Sequence, residues 1–153
     1  MNIQDNYLTL ADGQQMPQEG FGLYKVDGKD TMTAAIQHAF EDGYRLFDTA
    51  QLYGNEAEVG TALKQLALPR DEIFVTTKVA EENQGYNRAI ASVKESLQKL
   101  QLDYVDLLLV HWPIERSFFE TWRAFEDMKK EGLTKSIGVS NFEMIHLQYL
   151  ATQ

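Results

Sequence analysis

Apolar and polar positions along the chain change their period repeatedly, and the changes come in a regular order. Tyr7-Leu8-Thr9-Leu10 reads as a short strand, Asp12-Gly13 as the centre of a turn and Gln15-Met16-Pro17 as the return, which predicts an N-terminal β-hairpin. Phe21 to Val26 is predicted as a strand and Thr31 to Asp42 as a helix, with Asp30 as its N-cap and Gly43 as its stop. A second strand is expected over 45–50, a second helix over 56–66 and a third, β-branched strand over 73–78. Ile90, Val93, Leu97 and Leu100 recur at the spacing of one helix face, giving a helix over 86–100. Val105 to His111 is a nearly continuous apolar run, as a parallel strand covered on both faces requires. A helix over 117–131, a strand over 135–140 and a helix beginning near Phe142 complete the pattern.

Strands alternating with helices at these spacings imply right-handed βαβ units and a parallel sheet, either doubly wound or closed into a (β/α) barrel. Asp48, Lys78, His111, Ser140 and Asn141 all fall at the carboxyl ends of predicted strands. In a barrel those ends converge on one face, whereas an open sheet gathers its ligand contacts at a single switch point. No Gly-x-Gly-x-x-Gly follows the first strand, which weakens a dinucleotide fold of the open-sheet kind. The chain is therefore read as α/β, of the (β/α)8 TIM-barrel type, with an N-terminal hairpin.

Composition narrows the function. A chain of 153 residues with 44% hydrophobic and 24% charged residues suits one folded domain over 1–153. The net charge of −9, with no basic stripe, argues against a nucleic-acid partner. Absence of cysteine removes disulfides and thiolate metal sites, and His38 and His146 stand without ligand neighbours on predicted helices, so no metal is expected. No apolar stretch approaches a membrane span and Met1 to Asp5 carries no secretory pattern, so the expected compartment is the cytoplasm.

The strand-end residues suit the delivery of a proton to a carbonyl oxygen. A phenol is a poor acid at neutral pH, but a neighbouring ammonium favours the phenolate left behind when its proton departs. A carboxylate beyond the ammonium keeps it charged and fixed, and a neutral imidazole can orient the carbonyl. These roles go to Tyr53 as donor, Lys78 as its activator, Asp48 as the partner of Lys78 and His111 as the orienting group. Taken singly, Asp48 reads as a loop carboxylate, Tyr53 as a rim residue and His111 as a core histidine; it is their joint pattern that points to catalysis.

The segments Gly43-Tyr44-Arg45 to Asp48-Thr49-Ala50, Tyr53-Gly54-Asn55-Glu56, Thr76-Thr77-Lys78, His111-Trp112-Pro113 and Ile137-Gly138-Val139-Ser140-Asn141-Phe142 resemble, in order, the signature segments of the aldo-keto reductases. The hairpin, Met16-Pro17 and Gly20-Phe21-Gly22 resemble that family's barrel plug and first strand. The resemblance implies an NADP(H)-dependent reduction of aldehydes or ketones. It places Gly22, Leu23, Asp48, Ser140 and Asn141 beside the cofactor, and Tyr24, His111 and Trp112 around the substrate. Leu23-Tyr24 and Val79-Ala80 depart from the Thr-Trp and Leu-Trp common in the family, which leaves the substrate open.

A barrel of this type takes roughly 250 residues and about eight strands. Five strands are predicted here, so the fold is expected to be truncated after about five βα units. Open edges at the first and last strands are expected to favour self-association. The alternative to a carbonyl reductase is accordingly a non-catalytic partial barrel, an assembly partner or degraded gene product unable to hold cofactor alone.

Overall fold

The structure, a computed structural model, describes residues 6–152; the Met1–Asp5 segment read above for a leader lies outside them. Strand β1 (Tyr7–Thr9) pairs antiparallel with β2 (Gln15–Pro17), Tyr7 opposite Pro17, around a turn in which Gly13 takes φ 88°. The turn is tied to the body of the molecule by Asp12. Its carboxylate meets Lys129 Nζ at 2.6 Å and accepts from Ser136 Oγ at 2.7 Å, and the Lys129 contact helps to hold its pKa down at about 2.

Beyond the hairpin, strands and helices alternate as β3 (Gly20–Gly22), α1 (Lys29–Glu41), β4 (Leu46–Asp48), α2 (Glu56–Gln65), β5 (Phe74–Val79) and α3 (Tyr86–Leu100), followed by β6 (Val105–Val110), α4 (Phe118–Lys130), β7 (Thr134–Val139) and α5 (Met144–Leu150). The sheet order is β3-β4-β5-β6-β7, every pair parallel and every neighbour consecutive in sequence. Consecutive order is that of a barrel; a doubly wound sheet reverses order at its switch point. The chain thus forms five strand–helix units of a (β/α)8 barrel with the expected hairpin before them. Among the described residues β3 and β7 each lack a second neighbour in the sheet, and no helix is long and apolar enough to cross a membrane.

The main core lies between sheet and helices. Met32 and Ile36 of α1, Val59 of α2, Val93 and Leu100 of α3, and Phe125 and Met128 of α4 are buried against Val75, Val79, Leu108 and Val110 of the strands. Leu107 and Leu109 alternate with the core residues of β6 and are only half-buried, because the other face of the sheet is less covered. Asp106, a charge inside this apolar strand, is buried but paired: Arg70 Nη2 donates to it at 2.6 Å and the Val75 N–H at 2.9 Å. Helices α2 and α3 approach so closely at Gly60 that a Cβ there would lie 2.2 Å from the Lys99 carbonyl oxygen.

Local expectations are corrected in three places. The first barrel strand ends at Gly22 rather than Val26, since Val26 N–H turns back to the Leu23 carbonyl and Lys25 takes φ 60°. Helix α1 starts two residues early, capped by Gly28, with Asp30 inside its first turn, where a carboxylate still favours the helix dipole. Helix α5 begins at Met144 rather than near Phe142, with Glu143 and His146 forming a capping box.

Candidate active site

Each strand of the sheet ends in a loop, and those loops carry the polar groups singled out above. Asp48 closes β4, Lys78 lies one residue from the end of β5, His111 directly follows β6, and Ser140 and Asn141 follow β7. Parallel register sets them side by side: Gly22 is opposite Asp48, Asp48 opposite Thr76, and Lys78 opposite Leu109. Tyr53 is brought back over the strand ends by the 3-10 turn Gln51–Tyr53, which Gly54 terminates at φ 66°. A side chain with a Cβ seldom accepts that conformation.

Lys78 is 7% exposed, and its ammonium uses all three of its donors. It donates to Asp48 Oδ1 at 2.6 Å, to the Thr49 carbonyl at 3.0 Å and to the Tyr53 hydroxyl oxygen at 3.2 Å. Because the phenol oxygen accepts this bond, its own hydrogen is free to be donated elsewhere. The His111 ring meets the Tyr53 ring edge-on, centroids 5.9 Å apart, and stacks on Trp112 at 6.3 Å. Burial, reinforced by the Lys78 charge, pushes the pKa of His111 below the ordinary imidazole value, so the ring is neutral at pH 7. Its Nδ1 is buried without a partner among the described residues.

These groups border a cleft of about 450 Å³ lined by Tyr24, Leu52, Tyr53, Lys78, His111, Trp112, Ser140 and Asn141. Tyr24 stands against Tyr53 at a ring separation of 5.0 Å, and both Tyr24 and Trp112 are largely exposed, as walls of an open site are. A separate cleft of about 370 Å³, between the loop before α4 and α5, contains none of this chemistry.

The expected cofactor residues divide. Gly22 is exposed with open space where a Cβ would be, and Ser140 and Asn141 line the cleft, Asn141 held at φ 59° by its side-chain bond to the His111 carbonyl at 2.8 Å. A hydroxyl, an amide and an uncluttered backbone fit a flat ring bearing a carboxamide. Leu23, in contrast, is not brought to the cleft. Its side chain is fully buried in the core, its N–H is spent on the Asp48 carbonyl, and its carbonyl accepts from Asn55 and Val26. Lys78, already saturated, is the one cationic side chain lining the cleft among the described residues.

Three further polar residues, given no role in the sequence reading, surround Tyr53. Asn55, 2% exposed, donates to the Leu23 and Val26 carbonyls and accepts from Thr49 Oγ1 at 2.7 Å, clasping the Tyr24 loop to the end of β4. Gln51 and Glu56 bond to β5, to the turn that follows it and to α3. Burial pushes the Glu56 carboxyl up, opposed in part by hydrogen bonds from Thr77 and Ser96. The signal that could have found them is local: polar residues packed tightly around one tyrosine, in a segment too short to leave them all in solvent.

Known proteins resemble this chain in both sequence and fold. The family model described as "Aldo/keto reductase family" matches residues 20–153. The glyoxal reductase of Bacillus subtilis (strain 168) is 44% identical over 143 residues, covering 94% of this chain and 52% of that protein. An aldo/keto reductase of Brucella melitensis superposes with a TM-score of 0.91 at 44% identity, over 96% of this chain and 58% of the other. A Bombyx mori aldo-keto reductase solved in complex with NADP gives 0.89 at 34% identity, over 99% and 55%. The chain spans about half the length of the curated relatives it matches. Strand order, the grouping of polar residues at the strand ends and a match running from Gly20 onward agree: the chain belongs to the aldo/keto reductase family.

Proposed function

We propose that this chain carries the proton-delivering part of an NADP(H)-dependent carbonyl reductase acting on small aldehydes or ketones. One observation carries the reading: the Lys78 ammonium, paired with Asp48, donates to the Tyr53 phenol oxygen at 3.2 Å on the wall of the cleft. A substrate carbonyl in that cleft accepts the free Tyr53 O–H, and the neutral His111 orients it. As the proton leaves, negative charge grows on the phenol oxygen, where Lys78 already points a positive donor, so the stabilisation needs no rearrangement at the moment of reaction. Asp48 and the Thr49 carbonyl keep the ammonium from swinging away. The nicotinamide cofactor, when bound, supplies the hydride; Gly22, Ser140 and Asn141 are the residues that would hold its ring.

Support for the cofactor comes from the relative solved with NADP, and support for a small, reactive carbonyl from the relative named glyoxal reductase. Tyr24 and Trp112 form the aromatic sides of the substrate pocket.

A second reading is favoured by the cleft's lining, in which Lys78, already saturated by its own partners, is the one cationic side chain among the described residues. In it the chain is a non-catalytic partial barrel that assembles with itself or another polypeptide. One experiment separates the two. NADPH is titrated by fluorescence into the chain alone and into the chain mixed with a polypeptide supplying three further βα units from the B. subtilis relative, and glyoxal reduction is then followed. The reductase reading expects saturable binding and turnover in at least one condition, reduced about 10²–10⁴-fold in Tyr53→Phe. A well-folded chain that neither binds NADPH nor turns over in either condition sinks it.

A further inference from the structure

Tyr53 and Lys78 belong to different segments, the 3-10 turn after β4 and the strand β5, so nothing in either segment alone fixes the distance between them. Two side chains from the tyrosine's segment, half-buried Gln51 and buried Glu56, reach across to the lysine's. Gln51, two residues before Tyr53, accepts from the Ala80 N–H at 2.9 Å and from Asn83 Nδ2 at 2.9 Å. Glu56, three residues after Tyr53 and 4% exposed, accepts from Thr77 Oγ1 at 2.7 Å. Thr77 immediately precedes Lys78 and Ala80 follows two residues later, so the two bonds bracket the phenol on one segment and the ammonium on the other.

The tethers are also joined to each other. Gln51 Nε2 donates to Ser96 Oγ at 3.1 Å, and Ser96 Oγ donates to Glu56 Oε1 at 3.1 Å. Ser96 Oγ thus both accepts and donates, and both Glu56 oxygens are occupied. Networks with all members satisfied are rigid, while loss of one member leaves its partners unpaired. Glu56 is absent from the lining of the cleft that holds Tyr53 and Lys78, and so is Gln51.

We infer that Gln51 and Glu56 are positioning residues that hold the Tyr53 phenol against the Lys78 ammonium through Ala80, Thr77 and Ser96. This rests on the proposed partnership of Tyr53 with Lys78. The alternative is that the two side chains merely anchor α2, which would leave the phenol where it is when either is removed.

The test uses the full chain labelled with 13Cζ-tyrosine, the Tyr53 signal being assigned among the seven tyrosines by its loss in Tyr53→Phe. Lys78→Met defines the displacement of that signal when the ammonium is gone. Gln51→Met and Glu56→Ala are expected to move the Tyr53 resonance by at least half of that displacement in folded chains. Glu56→Gln, which can still accept from Thr77 and donate to Ser96, is expected to stay near the wild-type position. If Lys78→Met moves the signal and the folded Gln51 and Glu56 variants do not, the positioning role is overturned. If Lys78→Met itself leaves the signal unmoved, the Tyr53–Lys78 reading falls and the inference with it. Should Gln51→Met or Glu56→Ala fail to fold, the near-isosteric Thr77→Val deletes one tether and is judged by the same criterion.

Discussion

Removing either charge of the Asp48–Lys78 pair should destabilise the chain unequally, and burial gives the order. The side chains lie 2.6 Å apart, with Lys78 8% and Asp48 31% exposed. At an effective dielectric near 20 the attraction is about 6 kcal/mol, most of it offset by the cost of taking the ammonium out of water. Asp48→Asn removes the attraction but leaves the buried cation. The Thr49 carbonyl, the Tyr53 hydroxyl and the new amide oxygen solvate it only in part, so a loss of about 2–3 kcal/mol is expected. Lys78→Met removes the desolvated charge as well, fills a similar volume with apolar atoms and frees a carboxylate that water already reaches. Its loss should be only about 0–1 kcal/mol. Urea unfolding of the two variants and the wild type, read as midpoint shifts at unchanged slope, measures the difference. A Lys78→Met chain that loses as much stability as Asp48→Asn, or more, would refute the account in which the buried ammonium is the costly partner. Such a result would also mean that Lys78 contributes packing or bonding the geometry does not show.

Two other outcomes follow from the structure. Gly60→Ala should gain about 1 kcal/mol of helix propensity yet destabilise overall, by about 1–2 kcal/mol, because its methyl would press on the Lys99 carbonyl and Leu100 backbone; a rise in Tm would contradict the close contact of α2 and α3. The His111 signal in an NMR pH titration should have its midpoint below the ordinary value of about 6.5, since burial and then the Lys78 charge disfavour the imidazolium. A lowered folded value means that the unfolded chain binds this proton more readily. The His111 contribution to stability is therefore intact above the unfolded value and is lost as pH falls from there through the folded one. Replacing His111 by Asn should remove that component of the pH dependence.

Much of the architecture was legible because burial on two faces leaves a plain record in sequence. The run from Val105 to Val110 had to be covered on one side by helices and turned on the other toward the barrel interior, and the periodic apolar positions of α3 announced the covering helix. Less legible were the places where backbone conformation competes with propensity. Asp30 is a good capping residue, yet Gly28, free to adopt φ 88°, took the cap and moved the helix start. Lys25 at φ 60° turned what looked like four more strand residues into a loop, and that loop places Tyr24 at the cleft.

The sequence by itself determined which chemical groups stand at the strand ends, because a βα unit ends its strand where the apolar run stops and the first polar residues follow. Asp48, Lys78, His111 and Asn141 could be named on that ground alone. Their meeting was decided by tertiary structure, through a parallel register that sets successive strand ends abreast and a 3-10 turn that folds Tyr53 back over them. The same is true of what surrounds them. Leu23 proved to be a core residue, Asn55 and Glu56 proved to be buried tethers and Gln51 a half-buried one, because a side chain's burial depends on what packs over it from elsewhere in the chain. Local pattern carries no record of those distant partners, so only the folded chain could assign these residues their places.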